Sequence, residues 1–263
     1  DDDALTVLRY GTSCGALGQS VQGTLLAMEH ELSLSNLSPS TQYFFKIDVT
    51  DTAGNSATVG NGGGCFTFST PARPDYYTEL FSNTNNDLDR QQLTFTPADT
   101  VTFYSVCKLS AILFPTDPNG GTVQTIGEES SVQVNFTGGK TFSFFGTSYS
   151  SYFVNDNGSI TFGSGSGDFV ESFDAHFAKP RISALFDDLT VSQQRPVRLQ
   201  QLADRAVVTW VNVPEFGNAN QNSVQVEMFF DTGVIRITHL DLAALDGLVG
   251  LSRGQGTPPD LVE

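Results

Sequence analysis

The stretch "SSYFVNDNGSITFG", Ser150 to Gly163, constrains the fold more than any other part of the chain. Two runs of alternating residues flank Asn157-Gly158, a pair suited to a type I′ hairpin turn. A period of two on both sides of a tight turn commits this segment to paired antiparallel strands. The same pattern recurs in "AVVTWVNV", "SVQVEMFFDTGVIRITHL" and "GLVGLS", the middle pair joined through Asp231-Thr232-Gly233. Nearer the N-terminus, "ALTVLRYG", "HELSL", "TQYFFKIDVT" and "CFTFST" alternate between clusters of Gly, Ser, Pro and Asn. Helix is predicted only as a short turn around Val170 to Phe177. With 25 Gly, 21 Phe and 2 Met, the composition suits many short strands and tight turns. The expected class is all-β.

At 263 residues the chain has room for two ordinary domains. "TPARPDYYTEL" is the predicted junction, because Pro71 and Pro74 cannot donate to a ladder and stiffen the link. The expected domains are residues 1–73 and 74–263. The net charge of -16 disfavours nucleic acid or an anionic membrane surface as partner, but does not disfavour divalent cations. No apolar run approaches the roughly 20 residues that span a bilayer, and no signal peptide opens the chain, which reads as a mature or trimmed product.

Several residue groups point to chemistry. "GLSRG", Gly250 to Gly254, satisfies the G-x-S-x-G pattern, but no histidine follows Ser252 and the context is strand, so a structural role is expected. His30 and His239 sit in alternating runs and read as structural. His176 has Glu171 and Asp174 close by in sequence, with Asp187-Asp188 further on, and reads as part of a solvated loop. In "NTNNDLD", Asn83, Asn85, Asp87 and Asp89 recur at every second position and can aim oxygens at one hard cation, so Ca2+ is the one cofactor the pattern suggests. Asp187 and Asp188 form a second candidate, able to serve one ion only if the strand has ended before them. Tyr149, Tyr152 and Phe216 are the candidate glycan contacts, whereas Trp210 lies in a continuous apolar run and belongs to the core. Asn36, Asn135 and Asn157 stand in N-x-S/T sequons and are possible glycosylation sites.

"LRYGTS", "HELSLSNLSPSTQYFFKIDVTDTAGN" and "FTFST" together resemble a fibronectin type III domain. The resemblance puts Leu32, Leu34 and Leu37 inward. It places Tyr43 after the "LSPST" turn, with its ring in the core and its hydroxyl on backbone, and Gly54 at the positive φ of the next turn. Cys14 and Cys65 bracket this module and adjoin strands that the resemblance puts in one sandwich, so it implies a Cys14–Cys65 disulfide, with Cys107 reduced and buried. Closing a loop of about 50 residues stabilises by roughly 4 kcal/mol on chain-entropy grounds. Two strands of the module are missing before "LTVLRYG", which would leave an apolar face and a strand edge uncovered. A neighbouring copy could complete them by strand addition, making the chain a filament subunit.

"FSFFGTSYSSYFVNDNGSITFG", "PRISALFDDL", "VVTWVNVPEFGNANQNSVQVEMFFDTGVIRITHL" and "GLVGLS" resemble the NIDO-type domain of nidogen and related adhesive proteins. They are still more similar to a version found in large secreted bacterial proteins of planctomycete type. The resemblance covers most of residues 75 to 260, brings no catalytic residues with it, and implies a larger, jelly-roll-like β-sandwich used outside the cell. The expected whole is two tandem β-sandwiches in a non-catalytic, cell-surface or secreted adhesion module that contacts protein or glycan. The alternatives are the filament subunit, and a carbohydrate-binding module or domain of a secreted hydrolase.

Overall fold

The computed structural model describes residues 3–23, 26–34, 37–38, 41–70, 77–82, 86–98, 103–259 and 261. The regular structure is nearly all strand, as the turn-punctuated alternation requires, and the chain separates into two units, Asp1–Pro74 and Asp75–Glu263. Pro71 and Pro74 of the junction lie outside the described residues, as does Asn36.

The first unit contains β1 (Ala4–Gly11), β2 (Gln19–Gln22), β3 (Gln42–Asp51), β4 (Ser56–Val59) and β5 (Phe66–Ser69). They form one antiparallel sheet in the order β2-β1-β3-β4, with β5 also on β3. β3 is the centre, with β1 along one edge and β4 and β5 sharing the other. Tyr43 stacks on Phe68 and meets Tyr10 at a tilt, joining three strands, and the Tyr43 hydroxyl accepts the Ser38 N–H at 2.9 Å. "HELSL" forms no strand: His30 to Leu34 run as irregular backbone, with Leu32 and Leu34 half-buried. Cys14 and Cys65 are disulfide-bonded, linking the turn after β1 to the start of β5 across the end of β3.

The second unit packs two antiparallel sheets. One runs β10-β13-β14-β15-β20-β6, comprising β6 (Glu79–Ser82), β10 (Ser131–Asn135), β13 (Ser151–Asn155), β14 (Ser159–Thr161), β15 (Pro180–Phe186) and β20 (Asp246–Arg253). The other runs β8-β7-β19-β18-β17-β16-β9, comprising β7 (Gln91–Pro97), β8 (Tyr104–Ser110), β9 (Thr122–Gln124), β16 (Val197–Gln201), β17 (Arg205–Val213), β18 (Asn222–Phe229) and β19 (Ile235–Leu242). A short hairpin, β11 (Phe142–Phe144) with β12 (Thr147–Tyr149), and one helical turn, α1 (Phe173–Phe177), complete the unit. The inward faces share a single apolar core that takes Val154, Ile160 and Ile182 from the first sheet and Val208, Trp210 and Val226 from the second.

β17 and β18 are buried on both faces, because the segment after β8 covers their outer side. Thr116 there donates its N–H to Gln225 and its hydroxyl to Glu227, and Glu227 also pairs with Arg205 and Arg236. β8 is an edge strand with Ser105 to Ser110 exposed, so Cys107 is free but exposed rather than buried. The odd thiol lies on one of the two edge strands of its sheet, with β9 at the opposite edge.

The Asn157-Gly158 turn is present, but its form differs from type I′. Asn155 pairs with Ser159, so the loop holds three residues, and of these Gly158 alone carries a positive φ, +67°. This is the three-residue hairpin in which a left-handed glycine closes the turn. Asn155, Asp156, Asn157 and Ser159 are all about 1% exposed. Such a buried polar turn is stable only if most of its groups find partners, and all its side chains except for Asp156 Oδ2 find them, several on three other segments. Asn157 donates to the Asp168 carbonyl and accepts the Leu189 N–H, Asp156 accepts the Ser130 N–H, and the Gly158 carbonyl accepts both Ala184 and Leu185 N–H. That double acceptance sits at the irregularity in β15 where its register to β20 shifts between Ser183 and Phe186.

Candidate functional site

Three carboxylates converge at one end of the second unit. Oxygens of Asp187, Glu215 and Asp246 all lie within 4.8 Å of one another. Asp187 follows the last residue of β15, Asp246 opens β20, and Glu215 stands two residues past β17. Because β15 and β20 are antiparallel neighbours, the end of one meets the start of the other, while Glu215 arrives from the opposite sheet.

Local hydrogen bonds hold each segment. Leu189 bridges Glu215, the Phe216 N–H donates to the Asp188 carbonyl at 2.6 Å, and the Thr190 N–H donates to the Pro214 carbonyl at 2.9 Å. The Glu215 N–H donates to the Asn220 side chain, whose amide in turn donates to the Glu215 carboxylate. Asn157, through its bond to Leu189, ties the Asn-Gly turn to the same loop.

Asp187 is the deepest of the three, 5% exposed. Its Oδ1 accepts the Asp188 N–H at 2.7 Å, and its Oδ2 is buried without a hydrogen-bond partner. Burial first, and then the negative charge of Glu215, push its carboxyl up to about 8, with Glu171 and Asp246 adding to the effect. Glu215 and Glu171 are raised too, again by burial first and neighbouring carboxylates after it. Acidic groups therefore crowd this end of the sandwich. Such an arrangement can share a proton between carboxyls or accept a hard cation.

The residues singled out from sequence fare differently. Asn83 and Asn85 lie outside the described residues, Asp87 is exposed and paired with Lys108 at 2.5 Å, and Asp89 accepts the Leu242 N–H. β15 does end before Asp187-Asp188, but only Asp187 joins the cluster. Tyr152 is 2% exposed and stacks on Phe136, so it is a core residue and cannot meet a glycan. Tyr149 is half-buried on Phe162, whereas Phe216 is 64% exposed beside the carboxylates. Asn135 is exposed, but Asn157 is buried with both ends of its amide bonded, which leaves no place for a glycan in the folded chain.

His176 is no loop residue. It is fully buried in α1 between Ser183 and Thr78, and burial lowers it to about 3. Ser252 is buried in β20 with its hydroxyl donated to the Lys179 carbonyl, so "GLSRG" is strand. Glu215 and Asp246 escaped sequence reasoning because they meet Asp187 through topology. The signal available was weak: an acidic residue beside a polar loop or glycine at three strand ends.

The second unit is a two-sheet antiparallel sandwich, and the first is a disulfide-bonded β unit, features compatible with an extracellular module. Residues 104–257, more than half of the chain, match the family described as NIDO related, and the chain belongs to that family. No curated protein and no solved structure matches the chain. No helix of the described residues is long and apolar enough to cross a membrane, which says nothing of a β-barrel.

Proposed function

We propose that the chain is a non-catalytic adhesion module of a secreted or cell-surface protein, contacting protein or glycan. The observation that carries this reading is the NIDO-related match over residues 104–257. The Cys14–Cys65 disulfide is compatible with an oxidising compartment. The first unit serves as a fibronectin type III-like companion. The support for that is Tyr43, buried at the start of β3 with its hydroxyl on the Ser38 N–H, the arrangement that marks the corner of immunoglobulin-like sandwiches.

The test is to apply the fluorescently labelled full chain to a glycan array and to extracellular matrix and cell-envelope fractions. Saturable binding without product formation is expected. Turnover of glycoside, ester or peptide reporters that is lost in Asp187→Asn would overturn the reading in favour of a hydrolase using the Asp187, Glu215 and Asp246 cluster.

A second reading has its own observation. Among the described residues the first unit forms one sheet, and Phe44 to Thr50 of its central strand are only half-buried. Completion by a strand from another copy would make the chain a filament subunit. Light scattering and electron microscopy decide it: concentration-dependent fibres support strand addition, and a monomer at all concentrations removes it.

A further inference from the structure

We propose that Asp187, Glu215 and Asp246 bind a Ca2+ ion that fastens the two sheets of the second unit together at one end. This goes beyond the adhesion reading and stands or falls without it.

The geometry comes first. Oxygens on one Ca2+ lie about 2.4 Å from it, so two of them can be no further apart than roughly twice that distance. The three carboxylates meet that limit, with oxygens within 4.8 Å of one another. The second observation is Asp187 itself. It is 95% buried by the 5% exposure of the residue, its Oδ1 is committed to the Asp188 N–H, and its buried Oδ2 has no hydrogen-bond partner. Oδ2 is thus the oxygen left to face the other two carboxyls. A buried, unpartnered carboxylate oxygen beside two further carboxylates is costly unless a proton or a cation compensates it, and a cation can serve all three at once.

The donor set selects the ion. It is all oxygen, with no His or Cys, which excludes the softer metals as natural occupants. The ligands come from a post-bulge turn, a polar loop and a strand start, giving an irregular set. Ca2+ accepts such geometry, whereas Mg2+ demands a near-ideal octahedron and gives up its waters reluctantly. The ligands also come from both sheets: Asp187 and Asp246 belong to the β15–β20 side, and Glu215 follows β17 opposite. Binding therefore links the sheets, and it adds stability because the unfolded chain does not hold the three groups together.

The experiment uses the full chain, treated with EDTA and desalted, titrated calorimetrically with CaCl2 in 0.15 M NaCl at pH 7.5. One ion per chain is expected, with Kd at or below about 1 mM. At a hundred times that concentration, Tm should rise by about 5 °C or more. Glu215→Gln and Asp246→Asn should each weaken binding at least tenfold, while Asp231→Asn, at an exposed carboxylate elsewhere, should not change it. Carbodiimide labelling of the wild type gives a reading independent of variant folding, since Ca2+ should protect Glu215 and Asp246. No saturable binding by the wild type, unchanged binding in both variants, a preference for MgCl2, or protection absent at these two residues would overturn the proposal.

Discussion

At Gly158 a methyl group would meet two obstacles at once. The backbone φ is +67°, and a Cβ would lie 1.7 Å from the Leu185 carbonyl oxygen. That carbonyl belongs to the irregular part of β15, whose Ala184 and Leu185 N–H groups both donate to Gly158. Gly158→Ala is therefore expected to destabilise the second unit by about 3 kcal/mol or more, measured by urea denaturation monitored at Trp210. Asn157→Ala strands the buried Leu189 N–H and removes the bond to the Asp168 carbonyl, and is expected to cost about 2 kcal/mol in the same assay. The hairpin was legible in sequence, because alternation and Asn-Gly are local signals. The turn form was not: the partners that hold Asn157 lie 11 and 32 residues away. Tyr43 was legible for the opposite reason, since its hydroxyl partner, Ser38, is five residues back in the same turn.

Among the elements, β8 shows how a strand's place in a sheet outweighs its own pattern. Cys107 was expected to be buried, yet it is exposed together with the apolar Val106 and Leu109, on a strand that pairs with β7 alone at the end of the seven-stranded sheet. No sequence pattern states which strand will be last. The same limit hid the carboxylate cluster, whose members come from three strand ends of two sheets, and it allowed "HELSL" to look like a strand when no neighbour pairs with it in the described structure. Two outcomes follow from the cysteines. Cys107 should react with Ellman's reagent in the native protein, one thiol per chain, with Cys14 and Cys65 silent until reduction. The Cys14→Ser, Cys65→Ser double variant should lose roughly 4 kcal/mol of first-unit stability, because a link spanning 51 positions no longer restricts the unfolded chain. A free-energy change near zero, read from hydrogen exchange of the β3 amides, would show that the sheet is held without the bridge.

For the whole chain, with its net charge of -16, acid acts through two opposed sets of buried groups. His176 and His239 are fully buried and kept neutral, lowered to about 3 and about 4 mainly by burial; Arg181 lowers His176 further, while the Ala184 carbonyl and Asp89 oppose the shift at His239. Between pH 6.5 and those values the unfolded chain binds protons that the folded chain refuses. Their contribution to stability is complete above pH 6.5 and is lost as pH falls, by about 2 to 3 kcal/mol per histidine at pH 4.5. Asp156 acts in the reverse direction. Burial raises it to about 6 and its Oδ2 is unpartnered, so the folded chain holds the extra proton between the ordinary carboxylate value and pH 6. Its unfavourable effect is absent below the ordinary carboxylate value, builds as pH rises from there and is complete above pH 6. The variants separate the two. His176→Gln, whose amide can still bond Ser183 and Thr78, should lose about 2 kcal/mol less than the wild type between pH 7.5 and 4.5. Asp156→Asn should be more stable than the wild type by about 1 to 2 kcal/mol at pH 7.5 and equal to it near pH 4. Urea midpoints at the two pH values measure both. A wild type and a His176→Gln variant that lose stability in parallel on acidification would show that the histidine is not the proton-binding group that weakens the fold in acid.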